Sequence, residues 1–294
     1  MLKVRWDDFL YTREQFGLWR AAFGLYLVVC YARVYPYGVE LFGRNGTFPD
    51  WKLSAGPSFF PRFLFALDSD NGVKAMMIAS IFLAVLIMLG FYRKIAALLL
   101  WVLVMWFYNR NSIADSPEYG FVNWLIFACI FIPEGEAFSL SKPDLGWRMP
   151  KFFYWGAWIV LGFAYFYAAS SKFRGNDPAW VDGTAMYYVF VTDNARLAWY
   201  GRAFDKIPKF FFIPISYGAL AMQMLSLVFM YFRKSRPWWW LVSTATHVGL
   251  LFFVNLGQLT FGMIFFHFFL FDSRWIEAVK RRLARAPEAA LGSG

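Results

Sequence analysis

The stretch VKAMMIASIFLAVLIMLGFYRKIAALLLWVLVMWFYN, residues 73 to 109, decides the fold. It holds two apolar runs, 73–91 and 95–109, parted by the basic pair Arg93 and Lys94. A bilayer core is crossed by about 20 mostly apolar helical residues, somewhat fewer where neighbouring helices bury the ends. A basic turn between two such runs is the mark of a hairpin whose loop stays on the cytoplasmic side. Similar runs recur at 17–36, 119–133, 152–171, 210–231, 237–255 and 257–271, so eight segments are expected to span. The expected fold class is therefore all-α, a polytopic integral membrane helical bundle of about eight transmembrane helices.

Composition points the same way. Of the 294 residues 60% are hydrophobic and only 16% charged, against roughly one quarter charged in soluble domains, and the mean hydropathy is +0.44. The 36 Phe, 16 Tyr and 15 Trp exceed what a soluble core needs but suit interfacial belts and aromatic-lined cavities. A net charge of +10 would suggest nucleic acid in a soluble protein; here the Lys and Arg lie between apolar runs, where they set topology, and no nucleic-acid partner is expected. The two cysteines, Cys30 and Cys129, fall in separate apolar runs at opposite leaflets, so neither a disulfide nor a cysteine metal site is expected.

Orientation follows from the basic loops. With the N-terminus inside, Arg93 and Lys94, Lys142 to Lys151, Arg233 to Arg236 and the basic residues after Arg274 are all cytoplasmic, while the uncharged link Asn255 to Gln258 is outside. Both termini are then cytoplasmic, and Arg20 in FGLWRAAFG is expected to snorkel toward the inner face. The opening MLKVRWDDFLYTREQ is charged and mixed, so the first apolar run reads as an uncleaved anchor. Two long external loops, 37–72 and 172–209, are rich in Pro, Gly and aromatics and are expected to fold back over the outer mouth of the bundle. Residues 1–285 read as a single transmembrane domain and 286–294 as a disordered tail ending in an added LGSG.

The stretch most informative for chemistry is AYFYAASSKFRGNDPAWVDGTAMYYVF, Ala164 to Phe190, which sets Lys172 at the outer end of an apolar helix and follows it with a tightly punctuated loop. Gly162, Tyr165, Ala169 and Lys172 recur on one helical face, where small residues permit close packing. Lys172 has two readings: an interfacial anchor that snorkels, or a partly desolvated amine available as a base. A second stripe, Ser243, Thr244, His247 and Asn255, runs along LVSTATHVGLLFFVNLGQL. Lipid cannot satisfy such groups, so they face protein or a wet cavity, His247 being either a structural hydrogen-bonding group or a substrate contact. His267, among Phe residues, reads as structural. Glu118 and Asp115 flank the start of the fourth run, where acids complement a helix dipole. With two His and no Gly-rich phosphate loop, metal and nucleotide chemistry are disfavoured. A transporter is disfavoured too, for want of an inverted repeat.

Four segments, LWRAAFGLYLVVCYARVYPYG, LGFYRKIAALLLWVLVMWFYNRN, SSKFRGNDPAWVDGTAMYY and THVGLLFFVNLGQLTFGMIFF, resemble the HTTM (horizontally transferred transmembrane) domain family, the membrane module shared with vitamin K-dependent gamma-glutamyl carboxylase. The likeness is most specific where a Lys at a helix end precedes a Trp and a Gly, here Lys172, Trp180 and Gly183. It implies a membrane-embedded carboxylase-like enzyme, a lyase or oxidoreductase, that uses reduced vitamin K or a menaquinol-type quinol and no metal. By that likeness Lys172 is the initiating base that deprotonates the hydroquinone, and His247 is its catalytic partner. Trp180, Tyr165, Ser243, Thr244 and Asn255 would surround the quinone, with Glu118 near the place where the carboxylase carries a His. The resemblance further implies an outward-facing site in a bacterial cytoplasmic (inner) membrane, with membrane lipids and a secreted peptide or protein substrate as partners. Small bacterial relatives suggest the alternative, a non-enzymatic membrane factor for maturation or export of a secreted peptide.

Overall fold

The helix ends are set by local chemistry. Thr12 accepts the backbone N–H of Gln15 at 3.1 Å and starts α1, Arg13–Val34. A short helix α2, Gly38–Phe42, follows, and Ser69 accepts the N–H of Gly72 at 3.2 Å to start α3, Asp70–Leu89. Such capping satisfies backbone donors that no helical carbonyl can reach. In this computed structural model residues 9–54, 62–114, 118–175, 177–192, 197–278 and 280 are described. Every regular element among them is helical and no strand forms. The remaining helices are α4, Arg93–Arg110; α5, Glu118–Phe131; α6, Lys151–Arg174; α7, Pro178–Val181; α8, Ala185–Val191; α9, Ala198–Asp205; α10, Ile213–Met224; α11, Ser226–Tyr231; α12, Arg236–Phe253; and α13, Leu259–Phe269.

Helices therefore stand over all eight apolar runs, with one departure: the run 210–231 is divided at Leu225, where the backbone turns to φ −85°, ψ 3° between α10 and α11. By length and composition alone two described helices, Asp70–Leu89 and Lys151–Arg174, are long and apolar enough to cross a membrane. The tail 286–294 lies outside the described residues.

The chain divides into two compact units, Tyr11–Pro150 and Lys151 onward, the second joined by the segment that ends at Leu10. In the N-terminal unit α3 packs between α1 and α4, and α4 packs also on α5. Gly24 makes the first crossing close, since a Cβ there would come within 2.4 Å of the Met88 Cα. Small residues at such a crossing let backbones approach, the usual device of helices packed in lipid.

Arg20 does not snorkel. It is fully buried, and its Nε lies 2.9 Å from Glu136 Oε1, while the equally buried Arg93 reaches the same oxygen at 3.2 Å. The remaining guanidinium donors go to backbone carbonyls: Arg20 to Ile87, Met88 and Phe138, and Arg93 to Cys129, Ile132 and Pro133. Those carbonyls belong to the ends of α3 and α5 and the segment beyond α5, so one ion cluster ties these ends to α1 and α4. A charge held by an opposite charge and several carbonyls has no need to reach the headgroups. Gly90 completes the arrangement at φ +67°, where a Cβ would lie 2.7 Å from Ser139 Oγ and 3.0 Å from Arg20 Cζ.

The first long loop folds back onto the C-terminal end of α4. Arg110, fully buried, donates to the carbonyls of Phe48 at 2.6 Å and Gly43 at 2.9 Å and faces Asp68 at 3.5 Å; Asn111 donates to Leu41 O at 2.7 Å. Among the described residues neither Cys30 nor Cys129 is in a disulfide.

In the C-terminal unit α6 packs against α10 and α11, α12 against α13, and α8 against α9 and α10. Gly162 sets the α6–α11 contact: its carbonyl accepts from Ser226 Oγ at 2.9 Å, and a Cβ there would come within 2.6 Å of the Met230 thioether. At the other end Phe9 stacks on Tyr154 at 4.1 Å, and Leu10 donates its N–H to the Asp272 carboxylate at 3.1 Å and accepts the Ser273 N–H at 3.0 Å.

Candidate functional site

The punctuated loop after Lys172 is built residue by residue. Asp177 caps α7 by accepting the N–H of Ala179 at 3.0 Å, and Pro178 takes the first helical position, where a missing N–H costs nothing. Asp182 then accepts both the N–H and the hydroxyl of Thr184, at 2.8 and 2.6 Å, closing a side-chain turn. These two bonds to its carboxylate hold Asp182 below the usual carboxylate range. Gly183 between them sits at φ +80°, with a notional Cβ only 2.9 Å from both Ile213 Cγ2 and Tyr217 Cε2. The turn is thereby pressed onto α10, and the Tyr217 hydroxyl secures it by donating to Val181 O at 2.6 Å.

This construction brings Trp180 back over the end of α6. The Lys172 Nζ lies 4.4 Å from the centre of the Trp180 ring and donates to Gln223 Oε1 of α10 at 2.8 Å. Lys172 is thus half-buried between an aromatic face and an amide oxygen. Gln223 is absent from the expected set; it lies in an apolar run, and that is the signal that could have found it.

Two turns deeper along the same face of α6 lies a second cluster. The Tyr165 hydroxyl is 2.7 Å from His247 Nε2 and 3.2 Å from His267 Nε2, and the two imidazole centres are 5.3 Å apart. Trp239 closes over both, edge-on to Tyr165 at 5.4 Å and stacked with His267 at 6.1 Å. The α12–α13 hairpin sets His267 beside His247. Its backbone carbonyl is held by Trp240 Nε1 at 2.7 Å.

The hydrogen-bond order in this cluster can be worked out from its end. His267 Nδ1 lies 2.6 Å from Met263 O, and since a carbonyl only accepts, Nδ1 carries the proton. In the neutral ring that an apolar surround favours, Nε2 of His267 then accepts from the Tyr165 hydroxyl. The Tyr165 oxygen is left to accept from His247 Nε2–H. His247 Nδ1 becomes a bare acceptor, and it is buried with no partner among the described residues. The chain of donors thus runs one way, from His247 through Tyr165 and His267 to the Met263 carbonyl, and leaves an open lone pair at its head, on His247 Nδ1.

No protein-family model, curated protein or solved structure matches the chain. The site's chemistry therefore rests on its own geometry.

Of the expected residues, Lys172 and Trp180 meet in the first cluster, and Tyr165 and His247 in the second. Ser243 does not contribute: its hydroxyl donates back to the carbonyls of Trp239 and Trp240 at 2.8 and 3.1 Å. Thr244, one turn from His247, is buried with its hydroxyl unpartnered among the described residues. Asn255 leaves the stripe because α12 ends at Phe253 and Val254 is extended at φ −126°, ψ 139°, which breaks the helical phase and leaves Asn255 exposed. Glu118 opens α5, but its side chain lies outside the described residues, as does Asp115. Among the described residues no three His, Cys, Asp or Glu groups converge to hold a metal.

Proposed function

We propose that the chain is a polytopic membrane protein of about eight spans, with both termini cytoplasmic, in a bacterial cytoplasmic membrane. The support is where its large apolar side chains lie. Phe82 on α3, Leu99 on α4, Phe163 and Tyr167 on α6 and Phe252 on α12 are all exposed, Tyr167 to 71%. Helices that carry such residues outward along their length need an apolar solvent. The arginines that lower the hydropathy of α1 and α4, Arg20, Arg93 and Arg110, are held inside the fold by Glu136, Asp68 and backbone carbonyls.

Within that setting the C-terminal unit is read as a carboxylase-like, quinol-linked oxidoreductase site of the HTTM kind. The observation that carries this is the bare acceptor at His247 Nδ1, with the unpartnered Thr244 hydroxyl one turn away. A hydroxylated aromatic ring is the ligand class that supplies a donor to the first and stacks among Trp239 and Tyr165. A reduced vitamin K or menaquinol-type quinol, when bound, supplies the ionisable hydroxyl and the reducing electrons for reaction with oxygen. The chain's own residues do the rest. His247 orients the hydroxyl and is held in one tautomer through Tyr165 and His267, while Lys172, steadied by Gln223 and Trp180, accepts a proton at the rim.

The test is epoxide formation from reduced vitamin K and oxygen by the purified protein. Wild type forms it and Lys172→Ala does not; no product from wild type, or equal product from the variant, removes the reading. The second reading, a non-enzymatic factor for a secreted peptide, draws on one observation: the Lys172 amine already has two protein partners, as a structural clamp has. In that case crosslinking in membranes captures an exported peptide whose processing survives loss of Lys172.

A further inference from the structure

A cavity of about 120 Å³ opens in the C-terminal unit between α6, α11 and the start of α12, and neither Lys172 nor His247 lines it. Its walls are apolar, Trp155 and Trp158 from α6 and Leu227 and Met230 from α11, and its rim is exposed, Ile159 to 49% and Tyr231 to 55%. One charged group lines it, Arg236 at the first turn of α12, itself only 8% exposed.

Arg236 is held in place but not saturated. Its Nε donates to Met230 O at 2.6 Å and Nη2 to Tyr231 O at 3.2 Å, so it caps the carbonyl end of α11. Its guanidinium carbon lies 4.5 Å from the centre of the Trp155 ring. No described residue accepts from Nη1. The charge is thus fixed by helix carbonyls and an aromatic face, with both N–H groups of Nη1 left over. Around it the sequence RKSRPWWW adds exposed Arg233 and Lys234 and an exposed Trp238. Basic residues beside a row of Trp are what a helix presents at the headgroup level of an anionic leaflet.

We infer that this cavity is a binding site for an anionic phospholipid, with an acyl chain against Trp158, Leu227 and Met230 and the phosphate on Arg236 Nη1. Arg233 and Lys234 supply the surrounding positive field. Charge complementarity selects the occupant: a zwitterionic lipid brings its own cation to a site that already has three, and a free phosphate leaves the apolar walls unused. The inference rests on the membrane reading above, with the start of α12 on the cytoplasmic side.

The experiment uses the full chain, purified and delipidated in a neutral detergent, and follows its thermal unfolding as lipid is added. Ligand that binds only the folded state raises Tm saturably. Phosphatidylglycerol is expected to do so, phosphatidylcholine with the same chains at an apparent affinity at least tenfold weaker, and inorganic phosphate or glycerol phosphate not at all. Arg236→Gln is expected to weaken the phosphatidylglycerol response at least tenfold. Because Arg236 also caps α11, Ile159→Trp serves as the second variant: it narrows the cavity from its exposed rim and leaves the cation in place. It is expected to keep the lipid-free Tm within a few degrees and lose the response. An equal response to phosphatidylcholine, a full response in Ile159→Trp, or a shift with phosphate alone overturns the site. Carbonate washing of native membranes reports separately on the underlying reading: a chain that stays in the pellet yet shows no lipid response refutes the site only, and a chain released by the wash refutes the membrane assignment itself.

Discussion

Lys172 and Tyr165 share one face of α6, seven residues apart, so the amine bound to Gln223 stands two helical turns from the hydroxyl that joins His247 and His267. At 1.5 Å per residue that separation is about 10 Å along the helix. Each cluster makes its own prediction.

Replacing Gln223 by Leu removes the partner of the Lys172 amine without touching the amine. Positioned proton transfer contributes on the order of 10²-fold to 10⁴-fold in rate, so Lys172→Met is expected to lower quinol-dependent turnover at least a hundredfold. Gln223→Leu is expected to lower it by about tenfold, with Tm in detergent near that of wild type. Turnover unchanged in Gln223→Leu contradicts a positioning role.

Tyr165→Phe deletes the hydroxyl between two buried imidazoles. Leaving buried polar groups unpaired costs roughly 1 to 3 kcal/mol, so a lower Tm is expected, together with a change in the His247 and His267 ¹⁵N shifts as the tautomers lose their link. Unchanged shifts at both rings would show that the hydrogen-bond order derived from Met263 is wrong.

The helical organisation was legible in sequence because apolar run length and basic breaks report it directly, as Asp70–Leu89 and the break at 90–92, just before Arg93 and Lys94, illustrate. Arg20 was not. Snorkelling is the default for an isolated cation, and the carboxylate that holds Arg20 inside, Glu136, is more than a hundred residues away in the segment 132–150, which gives no periodic signal. The pairing of His267 with His247 was hidden for a related reason: it depends on how α12 and α13 pack. Asn255 failed where the helix ended two residues too soon for the stripe to reach it.

Glu136→Gln leaves Arg20 and Arg93 buried without their shared counter-charge. Removing one partner of a buried ion cluster costs roughly 3 to 5 kcal/mol, so low yield and a Tm drop are expected. Arg233→Gln, on an exposed residue, is expected to change Tm little. Equal stability of the two variants contradicts the account of the cluster.

Gly183→Ala places a side chain at φ +80° against Ile213 and Tyr217. Left-handed backbone costs an ordinary residue roughly 1 to 2 kcal/mol, so the loop is expected to loosen and Trp180 to move off Lys172. Proteolysis after Arg174 should speed up while the rest of the chain resists; an unchanged cleavage rate contradicts this reading of the turn.

The central claim is a quinol site in the C-terminal unit. Photolabelling of the full chain with an azido-quinone, followed by peptide mapping, tests it most directly. The account predicts labels competed by menaquinone and confined to α6, α7, α10 and α12, with labelling lost near His247 in Tyr165→Phe; labels confined to the N-terminal unit, or none that menaquinone competes, would contradict it.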